Sequence, residues 1–227
     1  MFGKNPRLKP EYSNGNILKI TNIFVTFQGE GPYVGYPSIF IRLSGCNLAC
    51  NFCDTEFDSY REMKIEDIIL EGYKKLEDFK DAKIIDRRVL IVITGGEPMR
   101  QNISILCKEL INRGHLVQVE SNGTLLSPDI SEEVKIVCSP KVTNGRYHKI
   151  RPDILKRVIA IKFIISAHNQ EYSDIGDVGQ ESIPIYIQPM DEYDIIKNKE
   201  NLQLAMNLCF KHNYILCLQT HKLIGID

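Results

Sequence analysis

The sequence lacks an excess of charge of either sign. Its 28 Lys and Arg nearly balance 29 Asp and Glu, for a formal net charge of -1. No bulk field draws such a chain to nucleic acid or to an anionic membrane, and neither is expected as a partner. Long apolar runs are also missing. The longest, such as "VLIVIT" at 89–94, stop far short of a membrane span. The opening "MFGKNPRLKPEYSNGN" carries no apolar stretch of the kind found in a secretory signal, so a cytoplasmic protein is expected. No internal repeat or low-complexity linker interrupts the 227 residues. One domain over residues 1–227 is the expectation, long enough to enclose a buried reaction chamber.

Seven cysteines are present, an odd number. Without a secretory signal they do not read as a disulfide framework. Cys107, Cys138, Cys209 and Cys217 are scattered among apolar residues and are expected to be buried thiols. The other three, Cys46, Cys50 and Cys53, crowd into "SGCNLACNFCDTEF" at 44–57.

Apolar runs alternate with amphipathic ones. Strands are expected at 38–45, 89–98, 116–121, 134–140, 157–165, 183–189 and 214–221. Helices are expected at 64–79, with Ile65, Ile68, Ile69, Leu76 and Phe79 on one face, at 102–114, and at about 197–212. The polar stretch 143–156 reads as a loop leading into a short helix, and 166–182 as an irregular excursion. Most strands are apolar on both faces, which points to a parallel sheet covered by helices. An incomplete (β/α) barrel or a doubly wound sheet fits the count. The carboxyl ends of the strands read "SGC", "TGGEP", "ESNG", "CSPK", "IISAH", "IQPMD" and "LQTHK". In parallel α/β proteins that rim is where ligands bind.

The three close cysteines have three possible uses. One face of a core helix would suit their spacing, but Gly45 and Asn47 are poor helix formers and the stretch directly follows a strand. Structural zinc wants four Cys or His ligands, and no second knuckle is present. A cubane iron–sulfur cluster usually takes four thiolates. Held by three, it would keep one iron open for a ligand from outside the protein.

At this point a resemblance becomes legible. Cys46-x3-Cys50-x2-Cys53, with aromatic Phe52 before the third cysteine, and "TGGEP" at 94–98 resemble the radical S-adenosylmethionine superfamily. Within it, "TFQGEGPYVGYPSIFIRLSGC" (26–46), "CDTEF" (53–57) and "LQTHKLIGID" (218–227) are similar to the 7-carboxy-7-deazaguanine synthase family. The resemblance runs from about residue 20 to the C-terminus, and the first dozen residues match nothing recognisable. It implies an α/β fold, an incomplete (β/α) TIM-like barrel of the radical S-adenosylmethionine type. It also implies a [4Fe-4S] cluster, S-adenosyl-L-methionine and Mg²⁺ as cofactors, an external one-electron reductant and a homodimer. The small-molecule substrate would be a pterin, 6-carboxy-5,6,7,8-tetrahydropterin, contracted to 7-carboxy-7-deazaguanine with loss of ammonia. A 5′-deoxyadenosyl radical would take hydrogen from C6 of the pterin and return it after rearrangement.

The resemblance assigns roles to positions. Cys46, Cys50 and Cys53 would hold the cluster. Thr55 would reach Mg²⁺, a hard ion that takes oxygen ligands. Phe52, Cys53, Asp54, Gly96, Glu97, Ser139, Pro140, Lys141 and Gln188 would contact S-adenosylmethionine. Phe27, Gln28, Gly29, Arg42 and Thr94 would contact the substrate. Arg42 also stands out unaided, because a guanidinium among apolar strand residues needs a partner. A substrate carboxylate suits its fork, and an internal ion pair is the alternative. His221 and Lys222, near the C-terminus, are left between a site role and anchoring of the last strand. Two rivals share the cysteine motif: an activase that makes a glycyl radical in a partner protein, and a non-enzymatic iron–sulfur or zinc scaffold.

Overall fold

A computed structural model describes residues 5–53, 55–57, 59–79, 89–178 and 182–226. The chain forms two compact units. The first comprises Met1–Gln28, Gly35–Ser121 and Leu125–Ile136, and the second Gly29–Val34, Asn122–Thr124 and Val137–Asp227.

In the first unit, β2 (Pro37–Leu43) is central. It pairs antiparallel with β1 (Ile17–Phe27) and parallel with β4 (Leu90–Gly95), which pairs parallel with β5 (Leu116–Ser121). β3 (Arg61–Lys64) adds antiparallel to β1 and has no further strand partner among the described residues. One face of this sheet is aliphatic: Ile23, Ile39, Ile41, Ile91, Ile93, Val117 and Val119 are all buried. Against it lies α1 (Ile65–Glu77), whose buried stripe is Ile65, Ile68, Ile69, Gly72 and Leu76. Each of the isoleucine and leucine side chains contributes roughly 1.5–3 kcal/mol by leaving water. Gly72 sets the close approach, since a Cβ there would lie 3.1 Å from Ile39. Glu66 and Asp67 in the first turn, and Lys74 and Lys75 in the last, complement the helix dipole. α2 (Ser104–Asn112) packs on β5.

β6 (Lys135–Cys138) carries the chain into the second unit. There β9 (Val158–Ile165), β10 (Ile185–Pro189) and β11 (Ile215–Leu216) pair in parallel, and α4 (Ile195–His212) packs on β10. Asp194 caps α4 by accepting from the amides of Ile196 and Lys197. A two-strand hairpin, β7 (Val142–Thr143) and β8 (Arg146–Tyr147), turns at Asn144-Gly145, both with positive φ. α3 (Pro152–Leu155) follows, and α5 (Thr220–Ile224) ends the described chain. No described helix is long and apolar enough to cross a membrane.

Several expectations need correction. β1 and β3 were not anticipated, nor was antiparallel pairing. A register shift between Ile20 and Asn22 breaks the two-residue alternation that would have announced β1. The expected strand at 214–221 is paired only at Ile215–Leu216. The Cys217 amide still donates to the Ile187 carbonyl at 2.8 Å, but Thr220 then opens α5. The expected loop at 143–156 contains the Asn-Gly hairpin. Phe79 lies beyond the α1 cap and is 54% exposed, so it is not part of the helix's buried face. Cys107, Cys138 and Cys217 are buried as expected, whereas Cys209 is only half-buried.

Candidate active site

The cysteine loop leaves β2 through Gly45, whose φ of 80° is open to glycine and costly for other residues. Cys46, Cys50 and Cys53 are all half-buried, outside any disulfide, on an irregular loop, which removes the core-helix alternative. The Cys53 amide donates to the Cys50 carbonyl at 3.3 Å, and the Cys46 sulfur accepts from the Leu48 amide at 3.4 Å. At the base of the loop, the Ser44 hydroxyl donates to the Phe57 carbonyl at 2.7 Å. Among the described residues no three His, Cys, Asp or Glu converge on a single-ion site. A cubane is held differently, with one thiolate to each ligated iron, so three thiols on one loop form a fitting donor set. Phe52 and Thr55 are half-buried on the same loop. Asp54 lies outside the described residues.

"TGGEP" is pressed against this loop. β2 and β4 align Leu43 with Gly95, and the Glu97 amide donates to the Gly45 carbonyl at 3.0 Å. A Cβ on Gly96 would lie 2.3 Å from the Gly45 oxygen and 2.8 Å from the Cys46 Cβ. Only a bare backbone fits there, because the cysteine loop itself fills the space a side chain would take. Glu97 is fully buried. Its Oε1 accepts from the Ser121 hydroxyl at 2.9 Å and from the Met99 amide at 3.1 Å, capping the 3-10 turn Pro98–Arg100.

The opposite face of the first unit's sheet is polar at the carboxyl ends of its parallel strands. Register aligns Arg42 with Thr94, so both side chains leave the same face. Gln118 aligns with Val92, and Glu120 follows it by two residues onto that face. Glu120 accepts from the amides of Gln28 at 3.4 Å and Gln118 at 2.5 Å. Arg42 is half-buried, with its Nε enclosed, and its guanidinium lies 5.3 Å from the Phe24 ring centroid. This face offers a cation for a carboxylate and a carboxylate for N–H donors. Gln28 is buried beside it, while Phe27, at the end of β1, is 48% exposed.

The second unit holds Gly29, Ser139, Pro140, Lys141 and Gln188. Lys141 Nζ donates to the Ser139 carbonyl at 2.8 Å and to its hydroxyl at 2.6 Å. Gln188 donates to Glu30 at 3.3 Å. Glu30 also pairs with buried Lys162 and accepts from Gln219 at 2.8 Å. Burial would raise the Glu30 carboxyl, but the Lys162 charge and these donors outweigh it and hold the pKa at about 2. A Cβ on Gly29 would meet the His221 ring at 2.1 Å, and Thr220 donates to the Gly29 carbonyl at 3.1 Å. Lys222 is held by Asp191 at 2.9 Å. The C-terminal segment therefore packs on the loop that begins at Gly29.

Glu120, Gln118, Glu30 and Lys162 escaped the sequence reading. The signal for the first two was present, as alternate polar residues inside the apolar strand "LVQVES". Lys162 is the lone cation of "VIAIKFII". Nothing in the sequence pairs it with Glu30, 132 residues earlier.

The Radical SAM superfamily model matches residues 40–144, the span of the cysteine loop and "TGGEP". A curated 7-carboxy-7-deazaguanine synthase from Rickettsia prowazekii (strain Madrid E) is 49% identical over 229 residues, covering 100% of this chain and 96% of the relative. One from Rhodospirillum rubrum is 33% identical over 251 residues and fully covers both chains. Among solved structures, QueE from Escherichia coli superposes with a TM-score of 0.69 at 23% identity, covering 89% of this chain and 93% of that one. At that identity the likeness concerns the fold, which is α/β, as expected. With full-length identity well above the level of chance, and with both motifs in place, this chain belongs to the 7-carboxy-7-deazaguanine synthase family.

Proposed function

We propose that this chain contracts 6-carboxy-5,6,7,8-tetrahydropterin to 7-carboxy-7-deazaguanine with loss of ammonia, as a carbon–nitrogen lyase of 7-deazapurine and queuosine biosynthesis. The observation that carries it is the 49% identity, along the whole chain, to a relative of that name. The same identity speaks against a glycyl-radical activase and against a non-catalytic scaffold. When bound, the cluster supplies the electron that splits S-adenosylmethionine, and the protein's own work is positioning.

Cys46, Cys50 and Cys53 would hold the cluster, and Gly96, packed against their loop, would contact S-adenosylmethionine beside it. Phe52, Asp54, Glu97, Ser139, Pro140, Lys141 and Gln188 complete the cofactor's surroundings. Arg42 would bind the pterin carboxylate, and Thr55 would hold Mg²⁺, a hard cation suited to carboxylate oxygens. Phe27, Gln28, Gly29 and Thr94 line the substrate, and Glu120 accepts from the N–H edge of its aminopyrimidine. The proposal takes residues 1–227 as one catalytic domain, working as a cytoplasmic homodimer with an external one-electron reductant. The family resemblance supports those last features.

The test is anaerobic. Reconstituted protein receives dithionite, S-adenosylmethionine, Mg²⁺ and 6-carboxytetrahydropterin, and products are followed by mass. Formation of 7-carboxy-7-deazaguanine is expected. Cleavage to 5′-deoxyadenosine without that product would overturn the assigned substrate.

A further inference from the structure

Residues 5–11 match no motif, yet they lie along the cysteine loop. Arg7 bridges to Cys46 in parallel register, and the Leu8 amide donates to the Cys46 carbonyl at 2.8 Å. Arg7 Nε donates to the Asn47 carbonyl at 3.0 Å. Half-buried Asn5 reaches the far end of the loop. Its Nδ2 donates to the Thr55 carbonyl at 2.6 Å and to the Cys53 sulfur at 3.6 Å. Its Oδ1 accepts from the Phe57 amide at 3.5 Å. One amide group has two hydrogens and an acceptor, enough for all three contacts.

The segment is anchored at its other end. Arg100, 3% exposed, donates to the Lys9 carbonyl at 3.0 Å, the Ser44 carbonyl at 3.2 Å and the Glu11 carboxylate at 2.7 Å. The Glu11 amide returns a bond to the Arg100 carbonyl at 2.7 Å. Burial would raise the Glu11 carboxyl, but bonds from Lys19 and Arg100 outweigh it and keep the group charged. The anchor is therefore ionic, buried at Arg100 and partly exposed at Glu11.

We propose that residues 5–11 are a strap that presets the cysteine loop, with Asn5 as a positioning residue that couples Cys53 to Thr55. An irregular loop pays conformational entropy when it closes on a bound group, and bonds made beforehand reduce that cost. A donor to a ligating sulfur also stabilises the more negative, reduced cluster. Through the Thr55 backbone, the same side chain fixes where the threonine hydroxyl points. The inference rests on the proposed roles of Cys53 and Thr55, so its test begins without iron.

In iron-free protein, hydrogen exchange of the 46–57 segment is compared in wild type, Asn5→Ala and Asn5→Gln. Loss of these bonds is expected to speed exchange there several-fold to about tenfold in Asn5→Ala, with Asn5→Gln recovering part of it. α4 should exchange as in wild type, which certifies the fold. In the loaded enzyme, Asn5→Ala should lower the cluster's midpoint potential and raise the Mg²⁺ needed for half-maximal turnover about tenfold. Unchanged exchange in the iron-free protein overturns the strap. Faster exchange with wild-type potential and Mg²⁺ dependence overturns the coupling and leaves a merely structural segment. Thr55→Ala, measured alongside, separates the two readings. If it leaves the Mg²⁺ dependence unchanged, the metal assignment fails, and iron-free exchange alone judges the strap.

Discussion

Lys162→Met tests the buried pair of the second unit. Lys162 is 6% exposed and its ammonium meets Glu30. Methionine keeps the volume and removes the charge. Burial raises the Glu30 pKa, but Lys162, Gln219 and His221 together bring it to about 2 against its usual 4.5, which corresponds to about 3 kcal/mol of stability at neutral pH. Without Lys162, Glu30 keeps the amides of Gln219 and Gln188 and the weaker pull of His221, but loses the cation that acts on it most strongly. Loss of one partner from a buried pair costs roughly 3–5 kcal/mol, in agreement. Urea unfolding at pH 7 should show the midpoint falling by about 1 M. The pH dependence follows from the depressed pKa. Glu30 stabilises the wild type fully above about 4.5 and progressively less as pH falls towards 2. The gap between wild type and variant should shrink to less than about half by pH 3. Glu30→Gln combined with Lys162→Met should recover part of the loss, because no uncompensated charge remains. An unchanged midpoint at pH 7, or a gap as wide at pH 3 as at pH 7, would refute the assignment.

Three further outcomes are expected. Gly96→Ala places a methyl 2.3 Å from the Gly45 oxygen, so the cysteine loop must shift, and turnover of the reconstituted protein should fall about a hundredfold. Wild-type turnover would show that the close packing of Gly96 on the cysteine loop is not needed. Thr55→Ala should retain the cluster spectrum and 5′-deoxyadenosine formation while lowering pterin turnover, measured across a Mg²⁺ titration. Arg42→Lys should raise the pterin KM about tenfold with the cluster intact, since one ammonium cannot copy a bidentate fork. An unchanged KM would remove Arg42 from the substrate's carboxylate.

Legibility in the sequence followed the range of the physics involved. The apolar parallel strands and the helices α1, α2 and α4 rest on local periodicity and local caps, and they appear within a few residues of expectation. β1 was hidden by a register shift, and β11 was curtailed because an edge strand has little to hold it once the chain turns into α5. The cysteine loop and "TGGEP" were legible because donor chemistry and bare glycine leave a mark in residue type alone.

What the sequence by itself determined, then, was the chemistry: three thiols spaced for a cluster, a glycine pair where a side chain cannot fit, and hard oxygen donors after the third cysteine. Tertiary structure alone decided who stands beside whom. It aligned Arg42 with Thr94, set Glu120 under two amides, paired Glu30 with Lys162, and laid an unremarked N-terminal segment along the loop. Those contacts join residues distant in the chain. Their energies depend on burial and geometry, which no residue type carries until the chain has folded.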